Sequence, residues 1–128
     1  PDLPLHESAP LRECLDRHGM DLIPLVGPNT PDERMAEYAK KASGYVYVVS
    51  VMGITGVRSG LPPEATHTVA RARKIFSLPV ALGFGISGPE QLKDMADPPH
   101  AVVFGSALLR HLDAGKSAKE FMQPWLQP

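Results

Sequence analysis

Cysteine is nearly absent from this sequence: Cys14 stands alone among 128 residues. An internal disulfide is therefore impossible, and no CxxC pair exists for a redox or zinc site. An excess of either charge is missing too, since 13 Lys and Arg stand against 14 Asp and Glu for a formal net charge of −1. That balance gives no electrostatic footing for nucleic acid or an anionic membrane. Long apolar runs are also lacking. The longest, such as Tyr45–Val49 and Ala101–Phe104, fall far short of the ~18–20 residues that span a bilayer. The chain reads as soluble and cytoplasmic. His6, His18, His67, His100 and His111 show no metal-type spacing, so no metal or other cofactor is expected. GxSxG, P-loop and dinucleotide fingerprints are missing; Gly83-Phe84-Gly85 lacks the third glycine at the required spacing. The chain opens on Pro1 with no Met and no cleavable apolar leader, so a further segment upstream is expected.

What is present is one ordinary domain's worth of material, 43% hydrophobic, in a size class of ~100–150 residues. Short apolar runs alternate with longer amphipathic ones. Ser8–His18 reads as a helix, and Asp21–Val26 as a strand closing on Gly27-Pro28-Asn29-Thr30-Pro31. Asp32–Ala42 then reads as a helix capped by Thr30 and ended by Gly44. Tyr45–Ser50, aromatic and β-branched, reads as a strand buried on both faces. A glycine-rich loop, Met52–Pro63, leads to a helix from about Glu64 to Phe76 and a strand at Pro79–Leu82. Ser87 with Glu90 spells a capping box for a helix reaching about Ala96. The strand Ala101–Phe104 runs through Gly105-Ser106 into a helix from Ala107 towards Leu112, and Lys116–Trp125 gives a terminal helix. Regular βα alternation with apolar strands predicts an α/β fold of parallel βα units, in a single domain over 1–128.

Two loops stand at strand C-terminal ends, where α/β barrels place their sites. Gly83-Phe84-Gly85-Ile86-Ser87 has glycines that let backbone amides approach an anion. Gly105-Ser106 sits between a strand and a helix, so free amides and a hydroxyl point the same way. Either loop alone reads as a tight turn. The two lie one βα unit apart, and together they point to a phosphate-bearing ligand. Gly53, Gly56 and Gly60 suggest a lid with Thr55 as its central hydroxyl, or a plain flexible connection. Asp2, at a strand end, is the one acid in a site-like position.

Ser50-Val51-Met52-Gly53-Ile54-Thr55-Gly56-Val57-Arg58, followed by Pro79-Val80-Ala81-Leu82-Gly83-Phe84-Gly85-Ile86-Ser87-Gly88-Pro89-Glu90-Gln91, resembles the tryptophan synthase alpha chain family. Asp2-Leu3-Pro4 with Glu7-Ser8 is similar to that family's stretch after its fourth strand, and Val102–Ala107 to its eighth strand and phosphate turn. The likeness covers essentially the whole chain and corresponds to the C-terminal half of the family's (β/α)₈ TIM barrel. It implies a lyase of tryptophan biosynthesis that cleaves indole-3-glycerol phosphate to indole and glyceraldehyde 3-phosphate and works with a beta subunit. By the same resemblance, Gly56, Gly85, Gly105 and Ser106 would hold the substrate phosphate. Leu25, Tyr47 and Phe84 would line the indole pocket, and Thr55 would orient a catalytic aspartate as the lid closes.

Val51-Met52 replaces the more polar pair usual before the lid glycine, and Ile54 the commoner valine. The family's two catalytic carboxylates lie on its second strand and the following loop, a region with no counterpart here. The 128 residues alone are therefore expected to be inactive. Two other functions are left open: a non-catalytic, phosphate-binding half-barrel that self-associates to cover its edge strands, and another phosphate-binding barrel enzyme.

Overall fold

Four short strands line up side by side in the order β1-β2-β3-β4, all parallel. They are β1 (Leu25–Val26), β2 (Val46–Val49), β3 (Val80–Gly83) and β4 (Ala101–Val103). The computed structural model describes residues 4–50, 61–83 and 85–126. Among the described residues five α-helices accompany the strands: α1 (Ala9–Arg17), α2 (Asp32–Ala39), α3 (Pro63–Ile75), α4 (Ser106–Asp113) and α5 (Ala118–Met122). The expected alternation is present, with α-helices after β1, β2 and β4 and a 3₁₀ turn after β3, and the fold is α/β, a parallel sheet corresponding to part of a (β/α)₈ barrel. No helix among the described residues is long and apolar enough to cross a membrane.

The core lies between the sheet and its helices. Val46 and Val48 point to the helix side of β2, as do Val80 and Leu82 of β3, and all four are fully buried. Val69 and Ala72 of α3 and Met35 of α2 fill the space above them. Each such valine, leucine or methionine side chain removed from water stabilises the fold by roughly 1.5–3 kcal/mol. The other face of the sheet is unevenly covered: Leu25, Ala101 and Val103 at its margins are exposed, while Ala81 and Gly83 in β3 are buried. There the register aligns Leu25 with Tyr47, Tyr47 with Ala81, and Ala81 with Ala101. Tyr47 and Val49 are accordingly only half-buried, so β2 is not buried on both faces as its composition suggests.

Several boundaries differ from the sequence reading, each for a local reason. The run from Asp21 narrows to Leu25–Val26. Pro24 has no N–H to give the ladder, although its carbonyl accepts the Tyr47 N–H at 3.0 Å. Thr30 does not cap α2. Its Oγ1 accepts the Gly27 N–H at 2.9 Å while its own N–H donates to the Gly27 carbonyl at 2.9 Å, closing a tight turn. Gly44 is not the residue that ends α2, which stops at Ala39. Gly44 does have φ +70, and a side chain there would press on Asp21 and Ile23. The helix expected from Ser87 to Ala96 is only a 3₁₀ turn, Pro89–Leu92. The terminal helix is α5 followed by a 3₁₀ turn at Gln123–Trp125, because Pro124 lacks the N–H a longer helix requires.

Long-range hydrogen bonds tie these pieces together. Arg71 of α3 donates from Nε to Asp32 at 2.7 Å, from Nη2 to the Thr30 carbonyl at 2.5 Å and from Nη1 to the Pro28 carbonyl at 3.5 Å. The loop after β1 is thus held by a helix two elements away. His100 Nδ1 accepts the Val80 N–H at 3.0 Å, and the His100 backbone N–H donates to the Val80 carbonyl at 2.8 Å, joining the approach to β4 to the start of β3. Phe104 stacks between Phe121 and Trp125, with ring centroids 4.8 and 5.3 Å away, and fastens the last helices to the end of β4.

Candidate anion site at the strand ends

Strand register sets two of the expected phosphate residues, Gly85 and Gly105, at the ends of adjacent strands. Gly83 of β3 pairs with Val103 of β4, so Gly85 and Gly105, each two residues further on, leave neighbouring strands side by side. Gly85 has φ +72, a left-handed conformation that glycine adopts without strain. Among the described residues, no heavy atom beyond its chain neighbours lies within 4 Å of where a side chain on it would begin. The next residue does the opposite: Ile86 is only 3% exposed and is part of the core. The loop is thereby anchored from beneath while its glycine faces solvent.

Gly105 stands at the N-cap of α4 and Ser106 begins the helix. No side chain caps this end and its first turn carries no acidic residue, while Arg110 and His111 lie in its last turn. Leu109 N–H makes the first helical bond, to the Gly105 carbonyl at 3.0 Å. The amides before it lie at the positive end of the helix dipole, an arrangement suited to an anion. Gly105 and Ser106 are both exposed.

Two further expected site residues lie on the neighbouring strands β1 and β2. Leu25 and Tyr47, both expected in the indole pocket, are register partners on β1 and β2. The Tyr47 ring extends over Gly83, where any Cβ would overlap its hydroxyl. The glycine at the end of β3 therefore makes room for an aromatic ring, a role the sequence reading missed. Burial and then the neighbouring Tyr45 push the Tyr47 phenol above its ordinary pKa of 10.0, which keeps it neutral. Ser50 extends the β2–β3 ladder one step, donating its N–H to the Gly83 carbonyl at 3.1 Å.

Gln91 was also missed. Its side chain reaches back over the 85–88 loop, with Oε1 2.7 Å from the Ser87 N–H and 3.1 Å from the Gly88 N–H. The Ser-x-x-Glu spacing singles out Glu90 instead. The usable signal was the glutamine next to it, long enough to both accept and donate. Thr55, Gly56 and Phe84, together with Asp2, lie outside the described residues.

The family described as tryptophan synthase alpha chain matches residues 1–125. The tryptophan synthase alpha chain of Nitratidesulfovibrio vulgaris strain DP4 is 67% identical over 127 residues, covering 99% of this chain and 49% of that protein. The one from Maridesulfovibrio salexigens is 48% identical over 124 residues, covering 97% of this chain and 49% of that one. Among solved structures, a chain of the tryptophan synthase a2b2 complex from the hyperthermophile Pyrococcus furiosus superposes with a TM-score of 0.78 at 36% identity, covering 94% of this chain and 50% of that chain. The chain thus spans about half the length of the curated relatives it matches, 49% of each of the first three. With the match running through both glycine loops and nearly every described residue, this chain belongs to the tryptophan synthase alpha chain family.

Proposed function

We propose that this chain supplies the phosphate cradle and part of the indole wall of a lyase that cleaves indole-3-glycerol phosphate to indole and glyceraldehyde 3-phosphate. The observation that carries this reading is the pairing of Gly83 with Val103, which sets the Gly85 loop beside the uncapped start of α4. Gly85, Gly105 and Ser106, joined by Gly56, bind the phosphate. Leu25, Tyr47 and Phe84 face the indole. Thr55 orients a carboxylate as the lid closes. The reaction is a retro-aldol cleavage: an acid protonates indole C3, a carboxylate assists the indole N–H, and a base takes the glycerol hydroxyl proton as the C–C bond breaks. The two carboxylates that do this come from the half of the family's length not spanned by these 128 residues. The chain acts as a single domain, in the cytoplasm, and works with a tryptophan synthase beta subunit.

The test measures indole release and glycerol 3-phosphate binding by the 128-residue chain, alone and joined to the remaining half of the N. vulgaris relative. Binding by the chain with indole release only from the joined protein is the expected result. Indole from the chain alone would put the proton transfers on its own acids and overturn the division of labour. No phosphate binding by the joined protein would overturn the cradle.

One observation favours a second reading, a phosphate-binding half-barrel that pairs with its own copy. Leu25 and Val103, on the sheet face away from the helices, are 40% and 38% exposed, and β1 and β4 bound the described sheet. Size-exclusion chromatography separates the two, since a well-folded monomer eliminates self-pairing.

A further inference from the structure

We propose that Gln91 is a positioning residue: it brackets the loop after β3 and thereby aims the Ile86 N–H at the bound phosphate. The inference rests on the reading that this loop holds a phosphate. Four hydrogen bonds from a single amide group define the bracket. Gln91 Oε1 accepts the Ser87 N–H at 2.7 Å, the Gly88 N–H at 3.1 Å and the Ser87 hydroxyl at 3.1 Å. Gln91 Nε2 donates to the Gly85 carbonyl at 3.3 Å. Every partner lies between Gly85 and Gly88.

These bonds decide which amides a ligand can use. Those of Ser87 and Gly88 are already committed to Gln91. The Gly85 carbonyl points at Gln91, and in a trans peptide the N–H on the same plane points the opposite way. That N–H belongs to Ile86, so the bracket turns it outward. Below, the Ile86 side chain is locked in the core. The Ile86 peptide is consequently held from both ends, next to the left-handed Gly85. A donor fixed in this way costs little ordering on binding.

Only glutamine satisfies the pattern. Glutamate could accept the three donors, but its second oxygen would face the Gly85 carbonyl and repel it. Asparagine falls one methylene short. Methionine fills the same volume and makes none of the four bonds.

The experiment uses the joined protein described above, with glycerol 3-phosphate as the binding probe and indole release for kcat and KM. Gln91→Met is expected to raise Kd and KM about tenfold, the worth of one or two hydrogen bonds, with kcat within about twofold of wild type. Gln91→Glu, which keeps the three acceptor bonds and so the loop's fold, should weaken binding at least as much. A merely structural role would lower the active fraction, and so apparent kcat, without moving KM. Unchanged Kd and KM in both variants overturn the bracket. A readout in the wild-type protein needs no variant: the Ile86 amide proton resonance should move on adding inorganic phosphate, and an unmoved resonance also overturns it. Gly85→Val separates the two levels of the argument. It places a side chain on the loop, so if it binds the probe normally, the phosphate reading fails whatever Gln91 does.

Discussion

Replacing Gly83 by alanine asks whether Tyr47 owes its place to a missing side chain. A Cβ on Gly83 would overlap the Tyr47 hydroxyl and the ring carbon bearing it, so the ring must tilt or the strand must shift. Overpacking of this kind costs ~1–3 kcal/mol. Against it, alanine in a strand gains about 0.5–1 kcal/mol over glycine, chiefly because the unfolded chain loses freedom. The net expectation for Gly83→Ala is a loss of roughly 0.5–2 kcal/mol while Tyr47 is present. In a Tyr47→Ala background the collision partner is gone and only the entropic gain survives. The same change should then stabilise by about 0.5–1 kcal/mol. The two sites are thus coupled by ~1–3 kcal/mol. Urea denaturation of the four members of the cycle measures this directly. Equal effects of Gly83→Ala in both backgrounds, to within about 0.3 kcal/mol, would refute the steric account.

Arg71→Ala should destabilise the protein by ~1–2 kcal/mol, because it orphans the Thr30 and Pro28 carbonyls; the mostly exposed Asp32 contributes little. Molar salt should leave this loss nearly unchanged in urea titrations, and a loss erased by salt would assign it to the ion pair instead. At α5, the Ser117 N–H and then its hydroxyl hold Glu120 below its ordinary pKa of 4.5. A depressed folded value means the contribution is complete above 4.5 and lost as pH falls through the lowered value. The stability gap between wild type and Glu120→Ala, followed by Trp125 fluorescence, should therefore narrow in acid; a constant gap would refute it. Tyr47 shows the opposite sign. Its raised value leaves stability intact below 10.0 and lost as pH climbs through the folded pKa. Ultraviolet titration should show one late-ionising phenol that disappears in Tyr47→Phe.

The parts of the fold legible in the sequence are those dictated by local chemistry. The β-branched run around Val46–Val49 announces its strand, and Pro62-Pro63 opens α3 within a residue of the expected start. The glycine loops after β3 and β4 also stand where they were expected. What the sequence concealed depends on partners distant along the chain. Whether Glu90 or Gln91 ties the loop depends on the path the backbone takes after Gly88, which the Ser-x-x-Glu spacing does not encode. That Gly83 makes room for Tyr47 depends on the register of β2 against β3. Thr30 has the composition of a helix cap and closes a turn instead, because Gly27 is within its reach.

Strand residues alternate between two environments with different tasks. Val46, Val48 and Leu82 look toward α2 and α3 and hold each βα unit together, whereas Tyr47, Val49 and Val103 lie on the opposite face of the sheet. Packing against the helices and the character of the opposite sheet face are thus written on opposite parities of the same strands. A polar residue at Val103 should leave the helix-covered layer intact, while one at Val48 should unfold the layer itself. The pattern of tolerated changes along each strand should accordingly repeat every second residue.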